Sequence, residues 1–331
     1  MTKKLRVHLD SQLWKAPHMR IGSDAWRTAA ARHSERATGL DLSFGEDWGG
    51  LEAALAEADV LICQSKPPAA AIANAARLKW IMVTMAGVES LAPLDWLPQG
   101  VRLSNNSGTH YPKTREFAQM ALGMLHFEMP HLATAQRAHA WAPRFHGLIA
   151  GRTVVVVGFG TLGQATADAA KGMGLKVHAV RRNPAPHALA DAVFAPEDLA
   201  AACRSADFLV CTLPLTPATR NMVGAAAFDA LRPGAGVVNI GRGPVMDYAA
   251  LAARLEDGRL SGAILDVFEP EPLPADDPLW DVKNLIVMPH MSSDDPTAYI
   301  QRSFDVFFQN LDAFVAGAGE LPTEISRATG Y

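Results

Sequence analysis

Short apolar runs alternate with alanine-rich stretches of helical spacing from one end of this 331-residue chain to the other. Leu5–Leu9, Val60–Cys63, Trp80–Thr84 and Val101–Leu103 read as buried strands of one series, with helical stretches such as Gly49–Glu57 and Ala69–Ala76 between them. A second series follows at Thr153–Val157, Lys176–Val180, Phe208–Thr212, Val237–Ile240, Ala263–Leu265 and Leu285–Met288. A strand that is apolar throughout is covered on both faces, and strands that alternate with helices run parallel. Two such series predict an α/β protein with two doubly wound parallel sheets in two domains. Thr114 to about Trp141 also has helical spacing, with Phe117, Met120, Ala121, Met124 and Leu125 in register. So does Thr297–Ala316, where Ile300, Phe304, Phe307 and Phe308 fall on one side. Periodicity does not tell where that last helix packs.

Composition narrows the class. With 49% hydrophobic residues, 19% charged and a net charge of -4, the chain reads as soluble and globular. Nothing here supplies a strongly basic face, so nucleic acid is not an expected partner. No apolar run approaches the roughly 18 residues of a membrane span, and the densest, Val154–Val157, stops at Gly158. The first ten residues hold Lys3 and Lys4 but no apolar core before Asp10, and read as a first strand rather than a signal peptide. Cys63, Cys203 and Cys211 form no CxxC, which predicts neither a disulfide framework nor a zinc knuckle and points to the reducing cytoplasm. His126, His131, His139 and His146 lack the spacing of a metal-binding helix, so no metal is expected.

The most informative segment is Thr153-Val-Val-Val-Val-Gly158-Phe-Gly160-Thr-Leu-Gly163, a strand running into GxGxxG and then a helix. Gly158 allows the tight turn, Gly160 lets backbone N–H groups approach a pyrophosphate, and Gly163 lets the helix pack close to the strand. Thr161 and Leu162 open the helix whose first N–H groups favour the anion. In an NAD site an acidic residue about 20 positions on holds the ribose 2′-OH. Here the next strand ends in Arg181-Arg182-Asn183. A carboxylate would repel a 2′-phosphate, whereas a guanidinium binds it bidentately, so NADPH is expected ahead of NADH.

Three further segments carry polar residues directly after apolar runs. These are Asn239-Ile240-Gly241-Arg242-Gly-Pro-Val-Met-Asp247, Asp266-Val-Phe-Glu269-Pro-Glu271-Pro, and Pro289-His290-Met-Ser-Ser. Open α/β sheets bind ligands at the carboxyl ends of their strands. An arginine, a carboxylate and a histidine converging there suit a keto acid: the guanidinium clamps a carboxylate and polarises the carbonyl, and the histidine supplies a proton. Asp247 reads as a helix cap or surface turn, and Cys211 as a small buried hydrophobe.

With AGVESL (Ala86–Leu91), Thr114-Arg-Glu-Phe, GFGTLG, LPLTPATRNMV (Leu213–Val223), NIGRGPVMD and LDVFEPEPLPADDPLW in one order, the sequence resembles the D-isomer-specific 2-hydroxyacid dehydrogenases. The resemblance implies that Arg242 binds substrate, His290 is the acid/base, and Glu271 rather than Glu269 completes the dyad. It assigns the N–H groups of Ala86, Gly87 and Val88 to the substrate carboxylate. It places Thr114, Leu213, Pro214, Thr219, Ile240, Gly241 and Asp266 with the glycines, Arg181 and Arg182 around the cofactor. It further implies a substrate domain of residues 1–107 with 293–331, a Rossmann-like cofactor domain of 108–292, and an active site in the cleft between them. A homodimer through the cofactor domain, using Gln119–Trp141, is expected. The implied activity is reduction of a 2-keto acid such as glyoxylate or hydroxypyruvate. The alternatives are a D-lactate or phosphoglycerate type of dehydrogenase and a non-enzymatic dinucleotide-sensing corepressor. Glu271 counts against the formate branch, where a glutamine stands. Arg115 departs from the alanine common before the Thr-x-Glu glutamate, and the sequence leaves it as either a surface charge or a residue of the active-site mouth.

Overall fold

All ladders between the strands of this computed structural model, which describes residues 4–327, run parallel. Met1–Lys3 of the expected first segment and residues 328–331 lie outside the described residues. The first sheet holds β1 (Leu5–Ser11), β2 (Leu40–Glu46), β3 (Val60–Cys63), β4 (Trp80–Val83) and β5 (Arg102–Ser104) in the order β2-β1-β3-β4-β5. The second holds β6 (Thr153–Val157), β7 (Lys176–Val180), β8 (Ala192–Phe194), β9 (Phe208–Cys211), β10 (Ala235–Asn239), β11 (Leu260–Leu265) and β12 (Leu285–Val287). Its order is β12-β11-β10-β9-β6-β7-β8. Both are doubly wound α/β sheets, the first in the flavodoxin-like order and the second in the Rossmann order extended by one strand. Every residue of β3, β4, β6, β9 and β10 is buried, as continuous apolar runs require.

The chain divides into two compact units. One takes the residues up to Thr109 and those from Asp295 onward; the other is His110–Asp294. In the first, helices α1 (Ser23–Arg32) and α6 (Tyr299–Val315) cover one face of the sheet. In the second lie α2 (Tyr111–His126), α3 (Met129–Arg137), α4 (Thr161–Gly172) and α5 (Tyr248–Glu256). The packing of the C-terminal helix, open in the sequence, is settled by its aromatics. Phe307 stacks on Trp80 at 5.3 Å, and Phe304 meets Trp26 edge-on at 5.3 Å.

Three elements depart from expectation. Strands β2 and β8 were not foreseen: both are sheet edges, paired on one side only, and their half-exposed positions do not form apolar runs. The long helical stretch is two helices, because Glu128 adopts a left-handed φ of 49° before Pro130. Proline is accepted in the first turn of a helix but not in its interior.

In a doubly wound sheet the crevice opens where the strand order reverses. In the first unit that place lies between β1 and β3, and it is stitched shut. The Gln12 N–H donates to Gln64 Oε1 at 2.7 Å, and the Gln64 N–H donates to Gln12 Oε1 at 2.8 Å. Gln12 also donates to the buried Asp10 carboxylate at 2.7 Å. In the second unit the corresponding place lies between β6 and β9, and there the glycines stand.

Candidate active site

The glycine turn is shaped by contacts that side chains would break. Gly158 has φ +89°, and an added Cβ would lie 3.0 Å from Thr212 Oγ1. A Cβ on Gly163 would lie 2.1 Å from the Gly158 carbonyl oxygen, so only glycine lets α4 sit this close to the strand end. Gly160 differs: an added Cβ there would meet nothing within 4 Å. Packing within the protein does not require that glycine, and the space beside it lies at the start of α4, where Thr161 and Leu162 stand.

The Thr212 hydroxyl donates to the Gly158 carbonyl at 2.9 Å and ties the β9 end to the turn. Leu213 and Pro214 follow, and the Thr219 hydroxyl donates to the Pro214 carbonyl at 2.7 Å, closing that loop on itself. Ile240 is buried, and Gly241 lies so near that a Cβ would be 2.5 Å from the Leu213 oxygen. Arg181 and Arg182 come directly after β7, the first half-buried and the second exposed. The Arg181 N–H is held by the Phe194 carbonyl at 3.1 Å. Thr114, fully buried in α2, has its hydroxyl 2.9 Å from Ser293 Oγ, three residues past His290.

Arg242, Glu271 and His290 follow the three neighbouring strands β10, β11 and β12. His290 Nδ1 lies 2.7 Å from Glu271 Oε2. The other oxygen of that carboxylate accepts the Phe268 N–H at 2.7 Å, which fixes its orientation. His290 itself has φ +50°, an uncommon conformation for a side chain of this size. Asp266 secures that turn: its carboxylate, 1% exposed, accepts the Met291 N–H at 2.8 Å and the Ser292 N–H at 3.0 Å. Glu269, the rival to Glu271, is exposed and pairs with Arg220 at 3.2 Å. The Arg242 Nη1 donates to the Gly241 carbonyl at 2.8 Å. A histidine whose Nδ1 is committed to a carboxylate keeps Nε2 for a proton transfer.

In the other unit, Ala86, Gly87 and Val88 form the loop between β4 and the short helical turn Glu89–Leu91. Asn105 Nδ2 donates to the Ala86 carbonyl at 2.9 Å, the Asn106 N–H donates to the Met85 carbonyl at 3.0 Å, and Tyr299 donates to the Thr84 carbonyl at 2.5 Å. With those carbonyls occupied, the loop has a fixed backbone.

Several residues acquire a structural account. Arg115 lies 2.7 Å from Asp168 of α4, so it is an inter-helix ion pair. Asp247 caps α5 by accepting the Ala250 N–H at 3.0 Å. Burial pushes the thiols of Cys203 and Cys211 up to about 12, which leaves them unreactive. The His126 ring is held at the Gly147 carbonyl, 3.0 Å away, and its pKa is lowered by burial and then by the Arg152 charge. Among the described residues no group of three or more His, Cys, Asp or Glu is arranged to hold a metal, and no helix is long and apolar enough to cross a membrane. Sequence reasoning assigned no role to Asn239, Tyr248 or Asn105. Asn239 carries a signal in hindsight, a polar residue that ends an otherwise apolar strand and is 0% exposed.

Comparison with known proteins agrees on the fold. Residues 120–292 match the family model described as the D-isomer specific 2-hydroxyacid dehydrogenase NAD binding domain. A glyoxylate reductase of Thermococcus gammatolerans is 31% identical over 229 residues, 66% of this chain and 68% of that protein. A D-isomer specific 2-hydroxyacid dehydrogenase from Xanthobacter autotrophicus Py2, solved with NADPH and MES, superposes with a TM-score of 0.81 at 28% identity over 100% of both chains. The NADPH-dependent glyoxylate/hydroxypyruvate reductase of Sinorhizobium meliloti, solved with NADP and sulfate, gives 0.78 at 26% identity, covering 99% of this chain and 100% of that one.

Proposed function

This chain belongs to the D-isomer specific 2-hydroxyacid dehydrogenase family and is an NAD(P)-dependent oxidoreductase, and we propose that it reduces a small 2-keto acid of the glyoxylate or hydroxypyruvate type to the D-2-hydroxy acid with NADPH. The observation that carries the reading is the 2.7 Å pair of His290 and Glu271, on the same sheet edge as Arg242. Similarity to an NADPH-dependent reductase of these two keto acids supports the choice of substrate and cofactor.

The residues of the second unit fit a dinucleotide phosphate. The turn at Gly158–Gly163 would carry the pyrophosphate over the open space at Gly160, on the first N–H groups of α4, and Arg181 and Arg182 would hold the 2′-phosphate. Leu213, Pro214, Thr219, Ile240 and Gly241 would line the remainder, and Thr114 and Asp266 would border the nicotinamide end. Bound NADPH supplies the hydride. The chain's own groups do the rest. The N–H groups of Ala86, Gly87 and Val88 hold the substrate carboxylate, and the Arg242 fork polarises the carbonyl, where negative charge develops. His290 gives its Nε2 proton to that oxygen, and Glu271 keeps the ring oriented and stabilises its charged form. The unit ending at Thr109 and resuming at Asp295 thus takes the substrate role, and His110–Asp294 the cofactor role.

The chain acts as a homodimer in this reading, because the arm after α2 leaves the large apolar side chains of Phe127, Trp141, Phe145 and Leu148 each exposed. Three buried free thiols suit the cytoplasm. The test is oxidation of NADPH followed optically with glyoxylate, hydroxypyruvate, pyruvate and bulkier 2-keto acids. Turnover is expected to be fastest with the first two; failure with every keto acid removes the reading.

A further inference from the structure

Arg242 and Glu271 stand on different loops, and two side chains in series tie those loops together. The Asn239 carboxamide faces the first loop: Oδ1 accepts the Gly241 N–H at 3.0 Å, and Nδ2 donates to the Arg242 carbonyl at 3.0 Å. The second Nδ2 proton goes to Tyr248 Oη, 2.9 Å away. Tyr248 in turn donates to the Val267 carbonyl at 2.6 Å. Val267 precedes Phe268, whose N–H holds Glu271 Oε1, and Glu271 holds His290.

The direction of every proton in this chain is determined. The Gly241 N–H needs an acceptor, which orients the Asn239 amide with its oxygen toward Gly241. Its nitrogen then has only protons to offer Tyr248, so the phenol oxygen accepts and its own proton must go to a lone pair. The Val267 carbonyl supplies one. Burial pushes the Tyr248 phenol up, so that proton is present at every working pH. The gap being bridged is tight: a Cβ on Gly243 would lie 2.7 Å from the Phe268 carbonyl carbon. The ring of Tyr248 also packs against Phe268, with centroids 6.0 Å apart.

We propose that the Tyr248 hydroxyl is a strut that holds the Arg242 loop in register with the loop carrying Glu271, making Tyr248 a positioning residue for the reduction. The inference rests on the functional reading above and deepens it. Tyr248 touches neither substrate nor cofactor; it sets where the Arg242 fork stands relative to the His290–Glu271 pair. Phenylalanine keeps the ring and its packing but leaves one Asn239 proton and the Val267 carbonyl without each other's help.

The experiment is steady-state kinetics of the full-length Tyr248→Phe enzyme with glyoxylate and NADPH, beside Arg242→Lys and the double variant. Tyr248→Phe is expected to raise the glyoxylate KM and lower kcat, each by roughly three- to tenfold, the scale of one lost hydrogen bond. The NADPH KM should change less than the glyoxylate KM, since Gly241 keeps its own bond to Asn239 Oδ1 when the Tyr248 hydroxyl is lost. In the Arg242→Lys background the same change should cost less than about twofold, because a lysine has no fork to aim. Asn239→Asp, which keeps the shape and exchanges donor for acceptor, should reproduce the pattern and serves if Tyr248→Phe does not fold. Unchanged glyoxylate kinetics in a Tyr248→Phe protein that merely melts earlier overturns the strut, as does full additivity in the double variant. Wild-type kinetics for Arg242→Lys alone removes the functional reading, and the strut falls with it.

Discussion

Glu271 divides its carboxylate between His290 Nδ1 and the Phe268 N–H, each at 2.7 Å. The main-chain bond holds the acid still, so the imidazole is aimed by the backbone of its neighbouring loop. Glu271→Gln preserves that shape and removes the charge that favours an imidazolium. We expect kcat for keto-acid reduction to fall by about a hundredfold, and His290→Ala by about a hundred- to ten-thousandfold, while NADPH still binds. Wild-type kcat in Glu271→Gln would falsify the dyad and turn attention to Glu269.

Cofactor choice should follow the end of β7. Arg181→Asp combined with Arg182→Ala is expected to shift kcat/KM from NADPH toward NADH by about ten- to a hundredfold, the value of a charged bidentate contact. An unchanged ratio would mean that both arginines are solvated charges.

The apolar arm gives a prediction about assembly. Trp141 and Phe145 are 96% and 94% exposed in the single chain. Covering one such ring contributes roughly 1.5–3 kcal/mol, so placing aspartates at both positions should yield a monomer by sedimentation. A variant that sediments like the parent shows that the arm is not the interface.

His126 links stability to pH. Its folded pKa is lowered, first by burial and then by Arg152, so the folded state prefers the neutral ring. That preference is fully present above the unfolded pKa, near 6.5, and is lost as pH falls through the lowered folded value. His126→Gln should therefore cost about 1 kcal/mol at pH 7.5, mostly through packing and the bond to Gly147, and less at pH 5.5. A melting-temperature difference that is flat between those two conditions argues against the assignment.

The sequence made legible what depends on local spacing. The β6–α4 turn announces itself because Gly158 and Gly163 each answer a separate steric demand within six residues. The ends of β10, β11 and β12 were readable because polar residues there interrupt runs that are otherwise apolar. What it could not show depends on distant partners. Glu269 and Glu271 both precede a proline, and only the folded turn brings the second to His290. Tyr248 looked like any residue after a helix cap, since its partners lie nine residues before it and nineteen after. The edge strand β2 mixes Asp41, Ser43 and Glu46 among its apolar positions, which a half-exposed edge allows and a central strand does not.

The reciprocal glutamines between β1 and β3 settle a question of stoichiometry. Two doubly wound sheets offer in principle two places for a nucleotide, one per sheet. In the first the main-chain N–H groups that could greet a phosphate are already spoken for, Gln12 by Gln64 and Gln64 by Gln12. The chain should accordingly take up a single equivalent of dinucleotide per subunit, on the sheet whose crossover carries the glycines.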